Sequence, residues 1–343
     1  MSFATTAVRH AETAPLPDRL TRAGIAVLVE RSRRHLARRP DEEEARLLAE
    51  MDAFPIAIHA DAANAQHYEL PPDFFRLILG PRRKYSCCFY PDVGATLAQA
   101  EVAALDETIA RAGLADGQAI LELGCGWGSL SLFMAERLPH ATITAVSNAR
   151  AQRVFIEGEI RRKGLKNLSV VTADMNVFAP SGRFDRIVSV EMFEHMANWR
   201  RLLGSIHGWL EPEGRLFLHV FTHRSRSYRF DASDPDDWMA RHFFTGGLMP
   251  AHDLPHRVTP HFAVEEEWRW SGVHYRRTAL DWLANFDRER EEIDLILKQV
   301  YGDDAALWRR RWRLFFLATA GLFGHAGGAE WGVGHYRLAP QAA

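Results

Sequence analysis

Cysteine is scarce in this chain: Cys87, Cys88 and Cys125 are the three among 343 residues. Cys87 and Cys88 are neighbours, a poor geometry for a structural disulfide, so a reducing, cytoplasmic setting is expected. No CxxC or HExxH pattern appears, which removes the common zinc sites, and no metal is expected. The longest apolar runs fall far short of a bilayer span, which argues against stable membrane insertion. The first residues, "MSFATTAVRHAETAPLPDRL", lack the apolar centre of a signal peptide. Charge of one sign is missing too. A formal net charge of −2 gives no global attraction to nucleic acid or anionic lipid. There is no internal repeat and no low-complexity segment. The 16 histidines are scattered and read as surface or pocket-wall residues.

What is present is apolar residue at regular spacing. Hydrophobic residues make up 47% of the chain, enough for a large core in one domain or two. Residues 1–20 are expected to be disordered. From about residue 21 to 95 the pattern is helical. "DEEEARLLAEM" puts acids in a first turn, and "YELPPDFFRLILG" enters a helix through prolines and ends at Gly80. This stretch is too long for a linker and suggests a helical cap. Residues 96–222 then alternate. "QAILELG", "ATITAVS", "LSVVTAD", "FDRIVSV" and "GRLFLHVF" read as strands, with amphipathic helices between them. That order predicts an α/β fold, a doubly wound parallel sheet of the Rossmann-like kind, with ligands bound beyond the carboxyl ends of its strands. Residues 223–343 open with a long aromatic and polar stretch, read as an insertion covering the site. Helices and strands that complete the core follow it.

"ILELGCGWGSL" sets Gly124, Gly126 and Gly128 between a strand and a helix, where a ligand can approach the backbone. The pattern is GxGxG rather than the dinucleotide GxGxxG, and a purely structural turn is the alternative. The second strand ends in Ser147 and Asn148, with Gln152 one turn on. These are neutral groups able to hydrogen-bond ribose hydroxyls, where a nicotinamide fold generally carries an acid. After the third strand, Asp174 could accept from an adenine amino group and Met175 could pack on the ring. Equally, Asp174 caps a helix and Met175 is core. Beyond the fourth strand, "SVEMFEHMANW" crowds Glu191, Glu194 and His195 together. A helix starting after Val190 would put all three on one face. The alternative is two acids in a first turn and a packed histidine.

Taken together, "KYSCCFY", "LELGCGWGS", "SNARAQ", "VEMFEHM", "DDWMARHFFTGGLMPA", "HYRRTALDWL" and "EWGVGHY" resemble a class I S-adenosylmethionine-dependent methyltransferase. The set is similar to the cyclopropane-fatty-acyl-phospholipid synthase group, and within it to the coclaurine, pavine and tetrahydroprotoberberine N-methyltransferases. The resemblance runs from about residue 45 onward. It implies S-adenosylmethionine as cofactor and S-adenosylhomocysteine as product. It also implies that Tyr85, Ser86 and Gly124 lie at the methionine end, Asn148 and Gln152 at the ribose, Asp174 and Met175 at the adenine, and Val190 at the strand tip. A homodimer is compatible with it. One departure is Thr319, where many relatives carry a cysteine. Methyl transfer from a sulfonium needs no covalent enzyme intermediate, so the difference is not expected to matter.

Two acceptors then compete. An alkylamine is mostly protonated at neutral pH and must lose a proton before it attacks. Glu191 and Glu194 would anchor the cation, and Glu194 or His195 would take the proton. Trp238, Phe243, Phe244, Trp268 and Trp270 offer aromatic faces for such a substrate. The rival is methylene transfer to an unsaturated acyl chain. The resemblance implies that those enzymes hold bicarbonate through equivalents of Cys87, Glu194, His219 and Tyr275. Glu191 weighs against it: a second carboxylate about 4 Å from a bound anion would cost about 4 kcal/mol at an effective dielectric near 20. The sequence therefore favours a small, aromatic amine.

Overall fold

A computed structural model describes residues 10–14, 16–58, 70–234 and 237–341. Helices α1 (Asp18–Arg38), α2 (Asp41–Glu50) and α3 (Pro72–Ile78) precede the sheet. Pro71 and Pro72 start α3, as the sequence predicts, because an N1 proline sacrifices no helical hydrogen bond. Helix α4 (Leu97–Ala112) opens on a Thr96–Gln99 capping box and closes on Gly113 in the left-handed region.

Strand and helix then alternate through β1 (Ala119–Leu123), α5 (Ser129–Arg137), β2 (Thr142–Ser147), α6 (Arg150–Lys163) and β3 (Leu168–Thr172). They continue through β4 (Phe184–Val190), α7 (Trp199–Trp209) and β5 (Leu210–His223). These five strands pair in parallel. Ile120, Leu121 and Leu123 of β1 and Ile187 and Val188 of β4 are buried, as suits strands covered on both faces. Next come the two-residue strands β6 (Tyr228–Arg229) and β7 (Leu248–Met249), with short helix α8 (Trp238–His242) between them, and α9 (Leu254–Val258). Strand β8 (Phe262–Ser271), helices α10 (Gly272–Arg288), α11 (Arg290–Tyr301) and α12 (Ala305–Gly324), and strand β9 (Trp331–Pro340) complete the described elements. The sheet order is β3-β2-β1-β4-β5-β9-β8. Strand β9 runs antiparallel to both β5 and β8, so His219, His335 and Trp268 lie side by side across three strands.

The expectation of disorder over residues 1–20 needs correction in part. Residues 1–9 and 15 lie outside the described residues. Residues 10–13 form a helical turn and α1 starts at Asp18. What orders this stretch is Glu12, whose carboxylate accepts from the Trp238 indole and from Arg311. The insertion is clamped to the cap in a similar way. Glu44 of α2 is buried, and its carboxylate accepts from Ser227 N at 2.8 Å and Arg257 Nη1 at 3.0 Å.

Candidate active site

A cavity opens beyond the carboxyl ends of β1 to β4, where a doubly wound sheet places its ligands. Gly124 and Gly126 form its floor. Gly124 has φ +80°, and an added Cβ would stand 2.6 Å from the Met192 side chain, so only glycine fits. Gly128 does not reach the cavity. A Cβ there would meet Ile156 of α6 at 2.8 Å, so its role is close helix packing.

Ser147, Asn148 and Gln152 line one side. Ser147 Oγ donates to Gln152 Oε1 at 2.6 Å and accepts from Ala149 N. This leaves Gln152 Nε2 buried and without a protein partner among the described residues. A buried N–H that nothing satisfies calls for a ligand acceptor, and a ribose hydroxyl fits. Asp174 and Met175 line the next edge. No helix follows β3, so Asp174 is not a helix cap: its Oδ1 accepts from Asn176 N at 2.9 Å in a local turn, and the residue lines the cavity. The residue set therefore fits an adenosyl group.

The fourth strand tip is where the sequence reading changes most. Glu191 has φ +48°, so no helix starts there, and only Phe193–His195 form a short 3-10 turn. Glu191, Glu194 and His195 consequently do not share a helical face. Glu191 and His195 line the cavity. Glu194 is fully buried behind it, with Oε1 accepting from Phe221 N at 2.7 Å. Burial first, and then the nearby Glu191 charge, push the Glu194 carboxyl well above its usual range.

Glu191 Oε1 accepts from Cys87 N at 2.8 Å and from His219 Nε2 at 3.2 Å, and Oε2 accepts from Tyr275 Oη at 2.7 Å. Three of the residues expected to cradle a bound anion instead cradle this side chain. Burial raises the Glu191 pKa. Lys84, Tyr275, the Cys87 N–H and His195 pull against that rise. Burial, reinforced by the charges of Lys84 and Arg111, holds His219 well below its ordinary value, so its contact with Glu191 is a hydrogen bond from a neutral ring.

Other expected residues fall outside the cavity lining. Ser86 accepts from the buried Lys84 Nζ at 2.5 Å. Tyr85 packs on Phe75 and Trp282, and Val190 borders the sheet core. Of the insertion aromatics, Phe244 stacks on His195 with centroids 4.7 Å apart. Trp238 holds Glu12, and Phe243 stacks on Phe315 at 4.5 Å in the cap core. Helix α8 ends before Phe244, so adjacent side chains there point apart. Ile58, Val146, Ala173, Met192, Met196 and Thr245 complete the lining without a sequence signal, since isolated apolar residues and a threonine look like ordinary core or loop. Among the described residues no group of His, Cys, Asp and Glu is placed to hold a metal ion, and no helix is long and apolar enough to cross a membrane.

The profile of the mycolic acid cyclopropane synthetase family matches residues 57–326. The chain belongs to that family. Among its relatives, (S)-coclaurine N-methyltransferase of Thalictrum flavum subsp. glaucum is 34% identical over 285 residues, 82% of this chain and 79% of that protein. The Papaver somniferum enzyme of the same name is 31% identical over 96% of each chain. A crystal structure of coclaurine N-methyltransferase bound to N-methylheliamine and SAH superposes with TM-score 0.93 at 30% identity, covering 98% of this chain and 100% of that one. The protein is an S-adenosylmethionine-dependent methyltransferase with the Rossmann-like fold of its family.

Proposed function

We propose that the enzyme transfers a methyl group to the nitrogen of a small aromatic amine of the tetrahydroisoquinoline or phenethylamine class. The observation that carries this reading is the Glu191 carboxylate. It lines the cofactor cavity together with Gly124 and His195, and three donors fix it. The N-methyltransferase names of the relatives support the same chemistry.

When bound, S-adenosylmethionine supplies an electrophilic methyl group. Gln152, Ser147 and Asn148, which line the cavity, would hold its ribose, and Asp174 and Met175 its adenine. Glu191 attracts the alkylammonium form of the acceptor and favours the positive charge that nitrogen regains on methylation. His195, held flat by Phe244, takes the ammonium proton and frees the lone pair. Glu194 lies behind, its carboxyl pushed well above the ordinary range by burial and by the nearby Glu191 charge, which disfavours two charges on the pair. The three cysteines are unbonded and buried, which suits a reducing cytoplasm.

Acyl-chain modification is the weaker reading. Glu191 already occupies the donors that an anionic base would need, and it would repel such a base. The test is a panel of tetrahydroisoquinolines and phenethylamines beside vesicles of unsaturated phospholipid, each given S-adenosylmethionine and read by mass. Methylated amine and unchanged lipid are expected. Methylene-bearing acyl chains with every amine untouched would overturn the assignment. In the same assay His195→Ala should lower turnover by ~100-fold or more while leaving cofactor affinity near wild type.

A further inference from the structure

Behind Glu191 a row of polar groups runs along one face of the sheet, from β5 to β9 and on to α4. Register pairs His219 of β5 with His335 of β9, and His335 Nε2 lies 2.9 Å from His219 Nδ1. Arg111, in the last turn of α4, brings Nη1 to 2.6 Å from His335 Nδ1. Its other nitrogen pairs with Glu107 at 2.7 Å, and its guanidinium lies over the Trp268 and Trp270 rings. Both histidines are wholly buried.

An arginine has donors and no acceptor, and it stays charged. Arg111 therefore donates to His335 Nδ1, which carries no hydrogen. The His335 proton then sits on Nε2 and points at His219 Nδ1, which must accept. The His219 proton is left on Nε2, where it meets Glu191 Oε1 at 3.2 Å. One donor-only residue thus fixes the direction of every bond in the row, and each bond polarises the next. Burial, followed by the charges around it, keeps His335 well below its ordinary pKa, consistent with a neutral ring.

We propose that Arg111 and His335 are positioning residues for methyl transfer, acting on Glu191 through His219 so that an N–H always faces the carboxylate. This rests on the catalytic place given to Glu191 above. Lys84, Cys87, Tyr275, Glu194 and His195 also face Glu191, while Glu107 and Arg337 contact Arg111.

The test uses the full chain, labelled with 15N-histidine and saturated with S-adenosylhomocysteine, so it needs no methyl acceptor. His219 and His335 should both be neutral and protonated on Nε2 from about pH 6 to 8. Arg111→Met should mix the His335 tautomers, and Arg111→Lys should restore them. With an active amine, Arg111→Met and His335→Phe should move the acid limb of kcat/KM upward by roughly half a pH unit or more. His335→Gln, which keeps a donor toward His219, should bring it back. Neither change should shift the limb further in a Glu191→Gln background. An Nδ1-protonated or doubly protonated ring in the wild-type enzyme, or an unmoved acid limb in both Arg111→Met and His335→Phe, overturns the proposal. Correct tautomers in a chain that methylates no amine would keep the wire and sink the substrate reading.

Discussion

Tyr275 Oη donates to Glu191 Oε2 across 2.7 Å, joining α10 to the tip of β4 through two residues 84 positions apart. The phenol is buried and stacks on Phe323 with centroids 4.3 Å apart, so its aim is fixed by packing. A hydrogen bond to an ionised carboxylate favours the ionised form. Here it opposes the rise that burial imposes on Glu191.

Tyr275→Phe keeps the ring and removes only that donor. The Glu191 pKa, already raised, should rise further, by about 1 unit for the loss of one hydrogen bond to a charged group. The ionised fraction at neutral pH falls, so the acid limb of kcat/KM moves upward. Activity should be reduced near pH 7 and should recover as pH increases. A pH–rate profile with the amine substrate checks this. An unchanged limb would mean that Glu191 does not carry the charge on which the rate depends.

Much of this arrangement was legible in the sequence. Parallel strands announce themselves as apolar runs ending at ligand-facing residues, so Gly124, Ser147, Asp174 and Glu191 could each be placed at a strand tip. The direction of each side chain could not. Whether "SVEMFEHM" turns helical depends on the single φ of Glu191, and a left-handed glutamate has no local signature. For the same reason the fate of Trp238 and Phe243 was hidden. Aromatic residues serve a cap core as readily as a pocket wall, and contacts with Glu12 and Phe315 made at long sequence separation decide between them. His335 was one of many scattered histidines until the β5–β9 register set it against His219.

Glu191 can be taken away and its charge returned separately. Glu191→Gly removes the side chain and suits the positive φ at that position. The Cys87 N–H, the Tyr275 hydroxyl and the His219 N–H then surround a gap of carboxylate size. Methylation should fall by ~100-fold or more, since a fixed charge at the reacting nitrogen is lost. Added formate or acetate should restore part of it in a saturable way, while chloride at equal ionic strength should not. Glu191→Gln, which fills the gap with a neutral amide, should be equally slow and should not respond to formate. Rescue of both variants, or of neither, would count against Glu191 acting as a bound carboxylate.

Glu122, near the carboxyl end of β1, tests the cost of burying an acid. It is 2% exposed, and the Ser131 hydroxyl is its hydrogen-bond donor. Burial, partly offset by Ser131, pushes its pKa up to about 7. The unfolded value is about 4.3, so the folded state binds this proton more tightly. The stability it contributes is complete below about pH 4 and is lost as pH rises through about 7, a loss of about 4 kcal/mol. Other raised carboxyls, Glu101 among them, act in the same direction. Glu122→Gln has no proton to release there. Denaturant unfolding at about pH 5 and 8 should therefore show the wild-type enzyme losing more stability over that interval than the variant, by on the order of 2 to 3 kcal/mol. Equal losses in the two proteins would mean that Glu122 stays ionised in the fold and that the core around β1 supports its charge.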